Sequence, residues 1–444
     1  MIHYFKHIYL TSRFFVIGAI IIVILALSFV LYWLYPVGWV IAGFLLFFTV
    51  VDGISLFNQK LEVIINRKLP NILSLGDNNT IKYSIRNNGP IELNLLIIDE
   101  LPYQLQERDF QLAMRLKKGE LRKVEYTVLP TTRGSYIFGN LLVFITSTLG
   151  LIRRKIVIEA EYKISVYPSI IQMKKYELKA HSLLSMFEGI KKHRRIGHSY
   201  EFEQIKEYVI GDDSRSVNWK ASGRRGTLMV NHYEDERSQQ VYSIIDKSRS
   251  MRMPFNNLTL LDYSINTSLV ISNIILQKHD KAGLITFSDK IGTILPAEKS
   301  SQQLRKIIEA LYNEQEHFLE AEYELLFHIV RNVIKQRSLL LLYTNFESFH
   351  AFERILPILR QINKLHLLLV IFFDNENVVQ VSKNEARNLK DIYVQMSARK
   401  YLEEKRQIVT ELSNHGIMSI KTLPGDLSMN TVNKYLELKS RGMI

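Results

Sequence analysis

The feature that most constrains the fold is an uncharged stretch that runs from Phe14 to Val51. Its length is roughly twice the ~20 apolar residues that one transmembrane helix requires. Residues 35–38, Tyr-Pro-Val-Gly, divide the stretch, because proline and glycine disfavour helix continuation. We therefore predict a membrane hairpin over residues 1–57, with two transmembrane helices at about 14–34 and 37–57.

Charged residues on either side of the hairpin indicate its orientation. Lys6 and Arg13 precede it, and Lys60, Arg67 and Lys68 follow it. Basic residues mark the cytoplasmic side of a membrane segment. We therefore predict a protein of the inner (cytoplasmic) membrane with both termini and the soluble domains in the cytosol. A secretory signal peptide is disfavoured, because a second apolar segment follows the first.

Asp52 is the one acidic residue in the second apolar segment. An acidic residue inside a membrane is a functional candidate. Because Asp52 lies near the cytosolic end of its segment, we predict a hydrated carboxylate at the membrane interface instead.

Length and composition limit the class of protein further. A chain of 444 residues is too long for one ordinary core, which favours several domains. The absence of cysteine excludes disulfides and thiolate metal sites. The formal net charge is +13, but the positive residues are spread along the chain. Anionic lipid beneath a membrane anchor accounts for such a charge, so we predict no nucleic-acid partner.

Residues 58–168 show the alternation that is typical of half-buried strands. Ile81, Tyr83 and Ile85 alternate with Lys82 and Ser84, and short turn segments rich in Gly and Asn follow. We predict an all-β, immunoglobulin-like sandwich here. Residues 169–200 are polar and mixed in charge, and we interpret them as a connector.

From residue 240 to 444 apolar strand patterns alternate with helical ones. The strands are predicted at 241–246, 282–287, 339–344, 367–373 and 418–423. The helices are predicted at 258–277, 302–312, 322–334, 349–362 and 401–414. This order favours a doubly wound, Rossmann-type α/β domain with a mostly parallel sheet. The chain as a whole is thus predicted to be multidomain.

A polar loop follows the first of these strands. Asp246, Ser248 and Ser250 place three oxygen ligands at alternate positions, and hard divalent cations prefer oxygen. The Asp-x-Ser-x-Ser pattern resembles the metal-ion-dependent adhesion site of von Willebrand factor A domains. That resemblance implies Mg²⁺, or Mn²⁺ or Ca²⁺, as a cofactor and a protein as the ligand.

The resemblance also implies a carboxylate after a later strand and a threonine from a second loop. Asn345 stands where the carboxylate is expected, and Glu322 lies near the threonine position. We keep both as further candidate metal ligands. The alternative is that Asp246 and the two serines cap the loop and the helix after it without an ion.

The segment 201–239 carries a second and more specific motif. The residues that carry it are Tyr208, Gly211, Asp212, Arg215, Trp219, Arg225, Glu234, Glu236 and Arg237. In this order they resemble the DUF58 family of bacterial proteins, whose members combine two membrane segments, a β-domain and an A-type domain. The arginines and glutamates of the segment could form an ion-pair network with the α/β domain, or they could form a partner-binding face. Asp212 or Asp213 is placed to cap a short helix towards Trp219.

No phosphate-binding loop, zinc-binding helix or nucleophile elbow occurs in the sequence. The family resemblance implies a non-enzymatic, membrane-anchored adaptor that works with a MoxR-type AAA+ ATPase. Two other functions stay open. One is a metal-assisted hydrolase that uses Asp246 with Glu322 or Asp289, and the other is a lipid-surface structural protein with a basic run at residues 191–195.

Overall fold

The computed structural model describes residues 8–58, 61–107, 109–169, 171–174, 201–210, 214–234, 238–384 and 388–444. The chain divides into two compact units, Met1–Tyr167 and Pro168–Ile444. The first contains the apolar hairpin and a β-rich region, and the second is α/β.

Two apolar helices form the hairpin, α1 (Ser12–Leu27) and α2 (Leu34–Leu56). Only α2 is long and apolar enough to cross a membrane among the described residues, and α1 is a shorter apolar helix. The helix break lies at residues 28–33, not at 35–38 as predicted. Pro36 is accommodated in the first turn of α2, where its missing N–H has no helical partner to lose. Gly38 lets the helices approach, since a Cβ there would lie 2.5 Å from the Leu25 side chain.

The hairpin is joined directly to the β-rich region of its unit. Strand β1 (Ile8–Leu10) leads into α1 and pairs with β10 (Ile152–Ile158). Asp52 of α2 is fully buried, which corrects our prediction of a hydrated interfacial carboxylate. Its carboxylate accepts hydrogen bonds from the Ser147 hydroxyl and from two backbone N–H groups, of Leu151 and Ile152, both at 2.9 Å.

Among the described residues of this unit, eleven strands, including β1 and β10, make three sheets. The other strands are β2 (Val63–Lys68), β3 (Leu73–Ser74), β4 (Asn79–Asn87), β5 (Leu93–Asp99), β6 (Gln111–Leu116), β7 (Leu121–Val128), β8 (Gly134–Phe138), β9 (Leu141–Thr146) and β11 (Tyr162–Tyr167). The sheet orders are β1-β10-β9-β5-β6, β3-β11-β8 and β2-β4-β7. The alternation predicted around Ile81 is confirmed, because the odd-numbered side chains of β4 are buried.

The second unit is built on a six-stranded sheet. Its strands are β14 (Gln240–Asp246), β17 (Lys281–Phe287), β18 (Ile291–Glu298), β19 (Leu339–Tyr343), β20 (Leu367–Phe373) and β21 (Met418–Thr422). Their order in the sheet is β18-β17-β14-β19-β20-β21. All neighbours are parallel except β18, which pairs antiparallel with β17. Every residue of β19 is buried, as expected for a strand that is covered on both faces.

Helices cover both faces of this sheet. They are α4 (Leu260–Gln277), α5 (Gln303–Asn313), α6 (Tyr323–Val333), α7 (Phe349–Leu365), α8 (Glu376–Lys383), α9 (Leu389–Asn414) and α10 (Leu427–Ser440). One core contains side chains of α4, α5 and α10, and the other contains side chains of α6, α7 and α9. The sheet is therefore doubly wound, as predicted, whereas β18, α8, α10 and the first half of α9 were not predicted.

The remaining elements precede or follow β14. A hairpin of β12 (Glu201–Glu207) and β13 (Met229–Glu234) encloses the short helix α3 (Trp219–Arg225). Two-residue strands, β15 (Pro254–Phe255) and β16 (Leu258–Thr259), lead into α4. The Thr259 hydroxyl and the Asp262 carboxylate form a capping box at the start of that helix.

Candidate functional site

The strand order of the second unit reverses between β14 and β19. From β14 the chain runs outward through β17 and β18, and it then returns to β19 on the other side. Ligands of open α/β sheets bind beyond the carboxyl ends of the strands at such a reversal. Asp246 ends β14, and Thr344 and Asn345 directly follow β19.

Asp246 lies at the centre of this edge and is 1% exposed. One carboxylate oxygen accepts from the Ser248 backbone N–H at 2.9 Å, and the other accepts from the Thr344 hydroxyl at 2.8 Å. The Tyr323 and Thr344 hydroxyls are 2.7 Å apart. Burial raises the pKa of Asp246 above its usual value, although these hydrogen bonds act in the opposite direction.

The side-chain oxygens of the two loop serines lie 3.1 Å from each other. A hydrogen bond from the Ser248 side chain is among the effects that lower the pKa of Asp246. Glu322 is exposed just before α6, and its backbone N–H donates to the Ser288 carbonyl at 2.9 Å. The neighbouring Tyr323, which we did not predict, reaches the site instead.

Asn345 joins the loop to a buried lysine of α9. Its amide nitrogen donates to the Ser250 carbonyl at 3.2 Å, and its amide oxygen accepts from the Lys405 ammonium at 2.8 Å. Lys405 is 1% exposed and also donates to the Phe346 carbonyl at 2.6 Å. Its nitrogen lies over the rings of Phe372 and Tyr401 at 5.5 and 5.2 Å.

Burial lowers the pKa of Lys405 to about 7. The aromatic faces and the two oxygen acceptors favour its ammonium form. Lys405 was not predicted, because a lysine in an amphipathic helix is usually exposed.

These donors do not fit a divalent cation. Mg²⁺ requires octahedral oxygen coordination, and Ca²⁺ takes still more oxygens. Asp246 is the one carboxylate among the described residues that are hydrogen-bonded in the site, and the Asn345 oxygen accepts from an ammonium. Within the described residues no group of three His, Cys, Asp or Glu is placed to hold a metal ion.

A buried ion pair supports the loop from inside the domain. The Lys247 ammonium lies 2.8 Å from the Glu314 carboxylate, which also accepts from the Thr286 and Thr293 hydroxyls at 2.8 and 2.6 Å. Gly292 is required here, because a Cβ would overlap the Thr286 hydroxyl oxygen and lie 3.0 Å from the Thr286 carbonyl and 2.7 Å from the Lys247 nitrogen. The loop is thus supported by buried contacts on its protein side.

An open pocket of about 510 Å³ lies beside the loop. Arg249, Arg252, Asn345, Asn375 and Tyr401 are among the residues that line it. Both arginines are held by ion pairs. Arg249 lies 3.2 Å from the carboxylates of Glu320 and Glu347, and Arg252 lies 3.0 Å from that of Glu316.

The second motif lies on the β12–β13 hairpin. Tyr208 donates its backbone N–H to Leu228, Arg215 is in a short turn, Trp219 and Arg225 begin and end α3, and Glu234 ends β13. Gly211, Asp212, Glu236 and Arg237 lie outside the described residues, as does Asp213. The cap of α3 is Asn218, whose side chain accepts from the Ala221 N–H at 3.0 Å.

Comparison with known proteins gives one curated relative at significant similarity. The chain is 24% identical over 248 residues to an uncharacterized protein, YeaD, of Bacillus subtilis strain 168. The matched region covers 54% of this chain and 59% of the relative.

Solved structures offer only slight likenesses. The CARDB domain of the PF1109 protein of Pyrococcus furiosus is 12% identical, with a TM-score of 0.18 over 24% of this chain and 90% of that one. Proximal thread matrix protein 1 of the mussel byssus is 12% identical, with a TM-score of 0.26 over 46% of each chain. Scores this low support no argument about fold or function.

A family model described as a protein of unknown function, DUF58, matches residues 204–379. This region begins within β12, contains the rest of the β12–β13 hairpin, the Asp246 loop and Asn345, and ends before Lys405. The family predicted from the motif is confirmed for this region, and the chain carries a DUF58 family domain at residues 204–379.

Proposed function

We propose that this chain is a membrane-anchored, non-enzymatic adaptor whose von Willebrand A-like α/β unit binds a protein partner at the carboxyl edge of its sheet. The observation that carries the proposal is the open pocket at the strand-order reversal, lined by Arg249, Arg252 and Tyr401. Arginine and tyrosine are enriched among the residues that dominate protein interfaces.

The chemistry of the pocket supports binding more than catalysis. Asn345 and Asn375 offer amide groups, and the arginines are positioned by neighbouring glutamates. The hydrolase alternative needs Glu322 or Asp289 beside Asp246. Neither is among the residues that line the pocket, and Asp289 lies 3.1 Å from the His317 ring.

An exposed apolar stripe on α9 also supports a protein partner. Leu389, Ile392, Tyr393 and Met396 share one helix face by their spacing. They are 70, 47, 69 and 57% exposed. Tyr401 of the same helix lines the pocket. Large exposed apolar groups of this kind mark interaction surfaces in soluble domains.

The hairpin supplies the anchor in this proposal. Helix α2 has the length and composition of a transmembrane helix, and the shorter α1 would complete a two-helix anchor. The basic residues outside the hairpin favour cytosolic soluble units in a bacterial inner membrane. The family resemblance indicates a MoxR-type AAA+ ATPase as the partner, and the binding we propose needs no divalent metal.

The test is binding of the full-length chain in lipid nanodiscs to the MoxR-type ATPase of the same organism. Arg252→Glu and Tyr401→Ala are each expected to raise the dissociation constant at least about tenfold, as loss of a central interface residue does. Arg305→Glu is the matched control, because Arg305 is an exposed arginine paired with Glu309 on α5.

Equal affinity of wild type and both pocket variants would contradict the proposed site. A chain that binds anionic liposomes but no ATPase would support the lipid-surface alternative instead. Binding that is lost in EDTA would show that a metal mediates it.

A further inference from the structure

The contacts of Asn345 decide whether this edge of the sheet admits a metal ion. In a metal-dependent adhesion site this position supplies negative charge. Here an uncharged amide takes its place, and its oxygen accepts a hydrogen bond of 2.8 Å from the Lys405 ammonium. The amide nitrogen is bonded to the Ser250 carbonyl, so both ends of the side chain are engaged.

A divalent ion and the Lys405 ammonium would compete for the same oxygen. Oxygen ligands lie about 2.1 Å from Mg²⁺. An ion on the Asn345 oxygen would thus lie no farther than about 5 Å from the lysine nitrogen, given the 2.8 Å hydrogen bond. Below its pKa of about 7 Lys405 carries its proton. Repulsion between the two cations is then strong at that distance, because buried charges are poorly screened by water.

Lys405 has contacts that keep it in this place. It donates to the Phe346 carbonyl at 2.6 Å and packs over the rings of Phe372 and Tyr401. Its side chain is almost fully buried, at 1% exposure.

We propose that the Asp246 edge is metal-independent, and that the ammonium of Lys405 supplies the positive charge that orders Asn345 and excludes a divalent cation. The ammonium connects α9 to the loop after β19, and Asn345 connects that loop to Ser250. In this proposal the lysine connects the two loops, as a bound metal ion connects the loops of an adhesion site.

The test is a Mn²⁺ titration of the full-length chain in detergent, followed by electron paramagnetic resonance of the free ion. Wild type is expected to show no saturable Mn²⁺ binding at this site below about 1 mM, the weak end of protein affinities for such ions. The double variant Asn345→Asp with Lys405→Met restores a carboxylate and removes the ammonium. This double variant is expected to bind one Mn²⁺ per chain at least tenfold more tightly than the wild-type limit of about 1 mM. Adding Asp246→Ala is expected to abolish that binding.

The matched control joins Asn345→Asp to Lys400→Met, which removes an exposed lysine of the same helix and is expected to gain no site. Wild-type binding of Mn²⁺ that disappears with Asp246→Ala would overturn metal independence, and this measurement needs no change at Lys405. A folded double variant without a new site would overturn the excluding role of Lys405. The titration involves no protein partner, so its outcome is separate from that of the proposed function.

Discussion

Glu314 shows how individual residues support the candidate site. Its carboxylate and the Lys247 ammonium are both buried, and two threonine hydroxyls complete the carboxylate's hydrogen bonds. Burial alone would raise the pKa of Glu314. The hydrogen bonds from Lys247, Thr293 and Thr286 outweigh that effect and hold the pKa below its ordinary value of 4.5.

Glu314→Gln is expected to lower the free energy of unfolding of the second unit by about 3 kcal/mol, because Lys247 is left buried without its counter-charge. Urea unfolding of the full chain in detergent, followed by circular dichroism, measures the loss. Glu309→Gln is the control, since its exposed pair with Arg305 contributes under about 1 kcal/mol.

The same pair has a defined pH dependence. Because the folded-state pKa of Glu314 is depressed, its contribution to stability is present above 4.5 and is lost as the pH falls through the folded pKa. The stability difference between wild type and Glu314→Gln should therefore shrink on acidification below that value. A difference that is constant from pH 7 to the acid range would contradict the ion pair.

At the scale of elements, the contact between α2 and the start of β10 joins the hairpin to its β-rich region. Asp52 accepts from the Leu151 and Ile152 N–H groups and from the Ser147 hydroxyl. The Arg154 side chain donates to the Leu56 carbonyl at 2.8 Å, and its guanidinium lies 5.0 Å from the Phe57 ring. These contacts attach the end of the helix to the strand.

Asp52→Asn is expected to weaken this attachment by about 2–3 kcal/mol, because an amide cannot accept all three hydrogen bonds and its N–H₂ faces other donors. Hydrogen exchange of the Leu151 and Ile152 amides should accelerate accordingly. Ser55→Ala is the control, since the Ser55 hydroxyl donates to the Asp52 backbone carbonyl of its own helix and not to the strand among the described residues. Unchanged protection in Asp52→Asn would mean that the carboxylate does not hold the strand.

At the scale of the whole molecule, the proposed orientation in the membrane follows from the hairpin. The turn between α1 and α2 should face away from the cytosol, and the second unit should face it. The chain contains no cysteine, so single cysteines report on each side without interference.

Tyr32→Cys, at a turn residue that is 87% exposed, is expected to react with a membrane-impermeant maleimide in spheroplasts. Ser301→Cys, exposed before α5, is expected to react only after lysis. Labelling of Ser301→Cys in intact spheroplasts would show that the orientation is the opposite of the one proposed.

Patterns between near neighbours were readable in the sequence. The uncharged stretch predicted an apolar hairpin, the alternation around Tyr83 predicted half-buried strands, and the apolar run at 339–343 predicted a strand covered on both faces. These properties depend on how side-chain direction repeats along a helix or a strand, and that repeat involves only residues close together in sequence. Helix ends were less readable, since Pro36 starts a helix as well as it ends one.

Only the tertiary structure decided which distant groups meet. Thr344 contacts Asp246 across 98 residues, Lys405 contacts Asn345 across 60, and Asp52 contacts Ile152 across 100. A lysine in a helix has the same local pattern whether it is exposed or buried against an amide. By itself the sequence thus determined where an Asp-x-Ser-x-Ser loop lies on the sheet, and the fold placed an ammonium beside it, because burial and pairing depend on how the elements pack.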